Sequence, residues 1–169
     1  MNTICKRLVD GLGLTNCMFN IEMFYDAGRD KISIIEVNPR MSYQFADMYK
    51  KVDGTNSYEI QLNIATGRQP IFQQKNGGFK TAVSFVKRLF EDKLIQKVPT
   101  TEEVKNLKNR FSEAILYTFA KKGDRLSDYL QDEESYLFAI LNLGGQSWED
   151  VYAHYEQTKT MLPFEFSDT

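Results

Sequence analysis

The sequence predicts an α+β fold: a mostly antiparallel sheet with helices packed on one face, followed by a small C-terminal α/β subdomain. Three observations carry this. Residues 17–25 alternate apolar and polar side chains and are joined by a glycine-containing turn to a second strand over 32–37, the pattern of a β-hairpin. Far downstream, Thr100-x-x-Glu103 and Ser147-x-x-Asp150 have the spacing that opens helices. Between them, residues 114–119 and 136–143 are two further apolar runs of strand length.

At 169 residues, 42% hydrophobic and 26% charged, the chain has an ordinary globular composition and the length to bury a sizeable core. A net charge of −2 with no basic run argues against nucleic acid or an anionic membrane as partner. The N-terminal residues lack the continuous apolar core of a signal peptide, and no apolar run approaches the ~20 residues of a membrane span. A cytoplasmic location is therefore expected. Cys5 and Cys17 form no CxxC pair and have no histidine cluster nearby, which argues against a zinc site or a disulfide framework and leaves them as structural thiols.

Ile4, Leu8, Val9 and Leu12 recur at helical spacing, so a short amphipathic helix is expected over residues 2–12. No capping residue precedes it, and Met1 is expected to mark a cut rather than the start of a domain. Gly11-Leu12-Gly13-Leu14-Thr15-Asn16 begins like a dinucleotide fingerprint, but Asn16 stands where the third glycine belongs and no strand precedes it. It is read as a helix stop and turn.

In the first strand Phe19, Ile21, Met23 and Tyr25 take one face and Asn20, Glu22 and Phe24 the other. The second strand runs into three polar groups. Glu36 and Asn38 share a face, while Ile35 and Val37 point to the opposite layer. Pro39 has no N–H to donate and ends the ladder. Arg40 follows, a planar charged fork suited to a carboxylate or phosphate. If Gly28, Arg29 and Asp30 form a three-residue loop, Ala27 pairs with Lys31, which sets Glu22 opposite Glu36 and Asn20 opposite Asn38. A loop one residue longer or shorter would throw the glutamates onto opposite faces. In the first register two carboxylates and an amide oxygen converge, and oxygen-only ligands of this kind suit Mg²⁺ or Mn²⁺. The alternative is a solvated sheet face on which the glutamates never meet.

Glu22, then Glu36-Val37-Asn38-Pro39-Arg40, Met41-Ser42, Asp53-Gly54-Thr55-Asn56 and Ala65-Thr66-Gly67-Arg68-Gln69-Pro70 resemble the C-terminal half of the ATP-grasp superfamily. These are carboxylate–amine/thiol ligases, with biotin-carboxylase-like and amino-acid-ligase members. The likeness covers residues 15–70 well and the remainder loosely. It implies that residues 1–74 are the C-terminal portion of the catalytic domain and residues 75–169 a C-terminal subdomain, with the polar turn from Gln73 to Gly78 between them. It also implies ATP with Mg²⁺ or Mn²⁺ as cofactors. Glu22, Glu36 and Asn38 would hold the metal ions bridging the ATP phosphates. Arg40 would be the catalytic residue that orients an acceptor carboxylate or the acyl phosphate formed from it. The implied partners are a small-molecule carboxylate and a nucleophile. Ser42 lies near enough in sequence to contact the same ligand, or else caps the next helix.

Residues 58–64 alternate like a strand, yet Asn56 and Gly67 bracket them as helix signals, and the resemblance decides for a helix over 57–66. Residues 80–90 are read as a strand, with 93–98 as its antiparallel partner across Glu91-Asp92. The Thr100 capping box opens a helix to about Asn109. The two later strands are separated by the solvated turn Lys121-Lys122-Gly123-Asp124 and a polar, acidic connection. Gly144-Gly145 looks like a phosphate cradle before a helix but lacks the Lys-Ser/Thr of a P-loop, so turn plus N-cap is expected. Trp148, Tyr152 and Tyr155 are expected in the core of the last helix. His154, the single histidine, stands in no motif and no catalytic role is expected for it.

The nucleotide-binding lysines, flexible glycine-rich loop and adenine pocket that the resemblance implies correspond to no stretch of this chain. By itself it is not expected to be catalytically competent. The expected protein partner is the missing N-terminal part of the enzyme, and apolar surface left bare is expected to drive self-association as a homodimer. Two other functions fit the same residues: a non-catalytic interaction or regulatory module that keeps the fold, and a biotin-carboxylase-type component. The latter ranks lower because the sequence has no Met-Lys-Met biotin acceptor.

Overall fold

A computed structural model of the chain describes residues 2–129 and 135–168. The order of elements is α1 (Asn2–Leu12), β1 (Asn20–Asp26), β2 (Lys31–Asn38), α2 (Ala46–Asp53), α3 (Ser57–Ala65), β3 (Thr81–Leu89), β4 (Leu94–Lys97), α4 (Thr101–Arg110), β5 (Ile115–Thr118), β6 (Tyr136–Gly145), α5 (Trp148–Met161) and β7 (Glu165–Ser167). Among the described residues the strands form three antiparallel sheets, ordered β1-β2, β3-β6-β5 and β4-β7, so the α+β expectation holds.

Local chemistry explains most boundaries. Gly13 takes the left-handed conformation, φ 63°, that lets α1 stop, and no dinucleotide loop follows. Asn56 caps α3 by accepting from Tyr58 N at 3.0 Å. Thr100 and Glu103 form the reciprocal capping box that starts α4. Ser147 accepts from Asp150 N to start α5.

The core is built on β6, whose residues 138–145 are all buried. Leu141 and Leu143 pack with Leu107 and Phe111 at α4 and with Val151 on α5. The other half of β6 carries Phe138 and Ala139 into a second cluster with Ile95 and Leu126. Phe138 meets the rings of Phe164 and Phe166 at 5.0 and 4.9 Å, which ties the end of the chain to the sheet. Helices α4 and α5 make the expected helical layer. In addition, α2 packs on β3 and β6, and the turn before it reaches Ser84, whose Oγ accepts from Gln44 Nε2 at 3.2 Å.

Several expectations need correction. Strand β4 pairs with β7, and β3 pairs with β6, so residues 80–98 are not a hairpin. The Asp92 carboxylate accepts from Arg125 Nε and from Ser127 N and Oγ at 2.9–3.0 Å, which ties the connection to residues 125–127 instead of closing a β-turn. Ile95 is then buried in the second cluster. The aromatic expectation for α5 holds for Tyr155, stacked on Phe85 at 4.0 Å. Trp148 and Tyr152 are 56% and 49% exposed, because Val151, Tyr155 and Thr158 make the stripe facing the sheet. The first strand starts at Asn20, not at residue 17, and β6 continues through Gly144 and Gly145. Met1 and residues 130–134 of the acidic connection lie outside the described residues. No helix among the described residues is long and apolar enough to cross a membrane.

Candidate functional site

The hairpin brings together what the sequence suggested, by a different route. Glu22 lies opposite Glu36, Ile21 opposite Val37 and Asn20 opposite Asn38. The loop, however, has four residues, 27–30, because Asp26 rather than Ala27 pairs with Lys31. The turn chemistry sets this length. Asp26 Oδ1 accepts from Gly28 N at 3.0 Å and from Arg29 N at 3.2 Å, Tyr25 OH donates to Asp30 Oδ1 at 2.9 Å, and Asp30 sits at φ 47°.

A four-residue loop followed by a regular ladder would place Ile35 opposite Glu22. Instead Met23 pairs with Ile34, Glu22 pairs with Glu36, and Ile35 is the extra residue of a β-bulge. The bulge restores the register that the longer loop would have lost. It also corrects the expected burial of Ile35, which is 66% exposed. The sequence signal for the bulge is the doubled apolar pair Ile34-Ile35, which interrupts the alternation of β2.

Around this pair the geometry is open. Glu22 and Glu36 are both exposed, whereas Asn38 is half-buried and its Nδ2 has no hydrogen-bond partner among the described residues. A half-turn of the amide exchanges its nitrogen and oxygen, so this orphaned position suits either an anion on nitrogen or a cation on oxygen. No group of three or more His, Cys, Asp and Glu side chains gathers among the described residues; the expected set has two carboxylates, and its third oxygen is the Asn38 amide. This donor set fits a hard divalent cation that keeps several waters.

Beyond Pro39 the backbone turns sharply, with Arg40 N donating to Asn38 O at 2.8 Å. The exposed Arg40 guanidinium reaches only the Met41 carbonyl, at 3.5 Å, and no carboxylate among the described residues engages it. Ser42 flanks the short turn Tyr43–Phe45 without a side-chain capping bond, so the capping alternative is not what its hydroxyl does. A cavity of about 260 Å³ adjoins this end of the hairpin, lined among others by Asn20, Met41, Ser42, Tyr49, Ile60 and Phe72.

Gly144-Gly145 and His154 are engaged by the chain's own groups. The space at Gly144 is taken by the Phe79 ring and that at Gly145 by Val151, and the Asp150 carboxylate accepts from Gln146 N at 2.8 Å. The start of α5 is thus capped by the chain's own groups. His154 pairs with Asp150 at 3.2 Å and packs on Phe111, remote in sequence from the hairpin.

This is the ATP-grasp fold, in its C-terminal portion. The chain is similar to phosphoribosylglycinamide synthetase from Anaerococcus prevotii, with 12% identity and a TM-score of 0.73 over 96% of this chain and 40% of that one. It is similar to L-amino acid ligase from Bacillus licheniformis, with 19% identity and a TM-score of 0.64 over 97% of this chain and 40% of that one. Biotin carboxylase from Campylobacter jejuni matches at 12% identity and a TM-score of 0.59, over 88% of this chain and 32% of that one. The chain therefore spans about two-fifths or less of these three structures. No family model matches the sequence, and no curated protein matches it.

Proposed function

We propose that the chain is the C-terminal part of an ATP-dependent carboxylate ligase, residues 1–74 completing the catalytic domain and residues 75–169 forming the subdomain behind it. The observation that carries this reading is the pairing of Glu22 with Glu36 and of Asn20 with Asn38 at the strand end that leads into an uncommitted Arg40. The ligase and the carboxylase among the structural neighbours support the same class of reaction.

In this reading Glu22, Glu36 and Asn38 would hold Mg²⁺ or Mn²⁺ for the phosphates of ATP. When bound, the cation would supply charge neutralisation at the phosphoryl group that passes to a carboxylate. The chain's own residues position and neutralise. Like charge keeps the two carboxylates apart and hydrated, and a cation between them would relieve that repulsion. The Arg40 fork orients the acceptor carboxylate or its acyl phosphate through two parallel N–H donors. The cavity beside Asn20 and Ser42 offers an apolar wall for the remainder of that substrate. The rest of the nucleotide site belongs to polypeptide outside this chain.

Titration with Mn²⁺ tests the reading. Binding by the chain, lost in Glu36→Ala with the fold retained, is the expected result. No detectable binding by the unaltered chain would count against it.

A specific observation favours a second reading, an interaction module that keeps the fold. Phe24, Tyr25, Ile34 and Ile35 are all exposed on the hairpin, whose two strands pair only with each other among the described residues. A two-stranded sheet is marginal alone, and such a surface is expected to be covered by the rest of the enzyme or by a second copy. Sedimentation at increasing concentration separates these: a dimer identifies the second copy, and a monomer leaves the surface to the missing part of the enzyme.

A further inference from the structure

Away from the hairpin, a cavity of about 510 Å³ opens where the segment after α3 crosses the end of α2. Val52, Lys75, Gly78, Phe79, Lys80 and Gln146 line it, and no acidic side chain does. This volume lies within the range that takes small molecules.

Its walls are held by the backbone rather than by chance contact of surface side chains. Gly77 N donates to Val52 O at 3.0 Å and Phe79 N to Lys51 O at 3.1 Å, which lays the strand of chain directly on the C-terminal turn of α2. Gly77 has to be glycine: a Cβ there would stand 2.0 Å from Lys51 O. Lys80 N donates to Gly145 O at 3.1 Å, and Gln146 Nε2 donates to Gly78 O at 3.0 Å, closing the opposite wall. Lys75 N donates to Asp53 Oδ1 at 2.9 Å, so the Lys75 backbone is fixed as well. The Phe79 ring is wedged against Gly144, where a Cβ would meet it at 2.7 Å, and cannot swing across to fill the opening.

Against these fixed walls the two ammonium groups are uncommitted. Neither the Lys75 nor the Lys80 ammonium takes part in an ion pair or hydrogen bond among the described residues, although the chain pairs its lysines elsewhere, as in Lys93 with Asp168 and Lys159 with Glu156. Two cations on one preformed opening raise the local potential for an anion, and Val52 and Phe79 give the same opening an apolar side.

We propose that this cavity binds a small amphiphilic anion, its phosphate or carboxylate end taken by Lys75 and Lys80 and its apolar part packed against Val52 and Phe79. No residue of the hairpin site lines the cavity, so this assignment stands or falls separately from the ligase reading.

Phenyl phosphate is the probe, followed by calorimetry and by amide chemical shifts of the whole chain, with inorganic phosphate as the second arm. The expected result is saturable binding of phenyl phosphate with shifts at Phe79 and Gln146, weaker binding of inorganic phosphate, and a loss of about tenfold in each of Lys75→Gln and Lys80→Gln. Both lysines are exposed, so these variants are expected to keep the far-ultraviolet dichroism of the parent. Absence of saturation at millimolar probe, or saturation that neither variant weakens, overturns the proposal. Equal affinity for inorganic phosphate overturns it too, because the apolar wall then contributes nothing.

Discussion

Glu22 stands directly across the β1–β2 ladder from Glu36, and it does so because Ile35 is bulged out between Ile34 and Glu36. Loop length and bulge offset one another: the four-residue loop shifts the pairing by one position and the bulge shifts it back. The register of the candidate site therefore depends on Ile35 being held out of the ladder. Deleting Ile35 is expected to straighten the ladder and keep the glutamates opposed, whereas inserting one residue between Ile35 and Glu36 turns Glu36 to the other face. Cross-strand nuclear Overhauser contacts between Glu22 and Glu36 check both: present in the deletion, absent in the insertion. Mn²⁺ affinity is expected to follow the same order.

Gly77→Ala is expected to cost about 2 kcal/mol or more, since the new Cβ would meet backbone atoms of Lys51 and Val52 that cannot give way. Urea unfolding reads this as a lower midpoint. Gly67→Ala is the control, because nothing lies within 4 Å of a Cβ there and its φ of 70° leaves only the smaller backbone strain.

Leu107→Ala empties a fully buried position between α4, β6 and α5, with an expected loss of about 3 kcal/mol. Thr100→Ala removes one half of the α4 capping box, with an expected loss of about 1 kcal/mol. The two residues share no contact cluster, and the double variant is expected to lose close to the sum. A midpoint shift in Thr100→Ala as large as that in Leu107→Ala would contradict the core assignment.

Acid sensitivity is expected at the connection between β3 and β4. The Arg125 side chain, with Ser127 N and Oγ, holds the Asp92 carboxyl below its ordinary 3.8. A depressed folded value contributes stability that is present above the unfolded value and lost as pH falls through the folded one. Carboxyl-carbon titration by nuclear magnetic resonance is expected to place Asp92 below 3.8, and Arg125→Gln to move it upward. At the other end of the scale, Asp168 and then Glu91 push the neighbouring Lys93 up to about 12. That contribution is complete below about 10.5 and lost as pH rises through about 12.

The sequence by itself determined whatever is encoded within a few neighbouring residues. Caps at Asn56, Thr100 and Ser147, the stop at Gly13, the strand end at Pro39 and the placement of Glu36 and Asn38 on one face all follow from short-range geometry. The ordered motif from Glu22 to Pro70 pointed to the fold that the solved structures share. Tertiary structure decided what depends on competition between distant partners. Strand β4 pairs with β7 because Ile95 and Phe166 share a buried cluster assembled from segments far apart in the chain, which no local pattern can rank against the nearer β3. Trp148 and Tyr152 stay in solvent because the sheet offers α5 only one stripe of contact. The pairing of Glu22 with Glu36, reached from the sequence with a loop one residue too short, is settled by a bulge whose cost only the assembled hairpin can set against the turn held by Asp26.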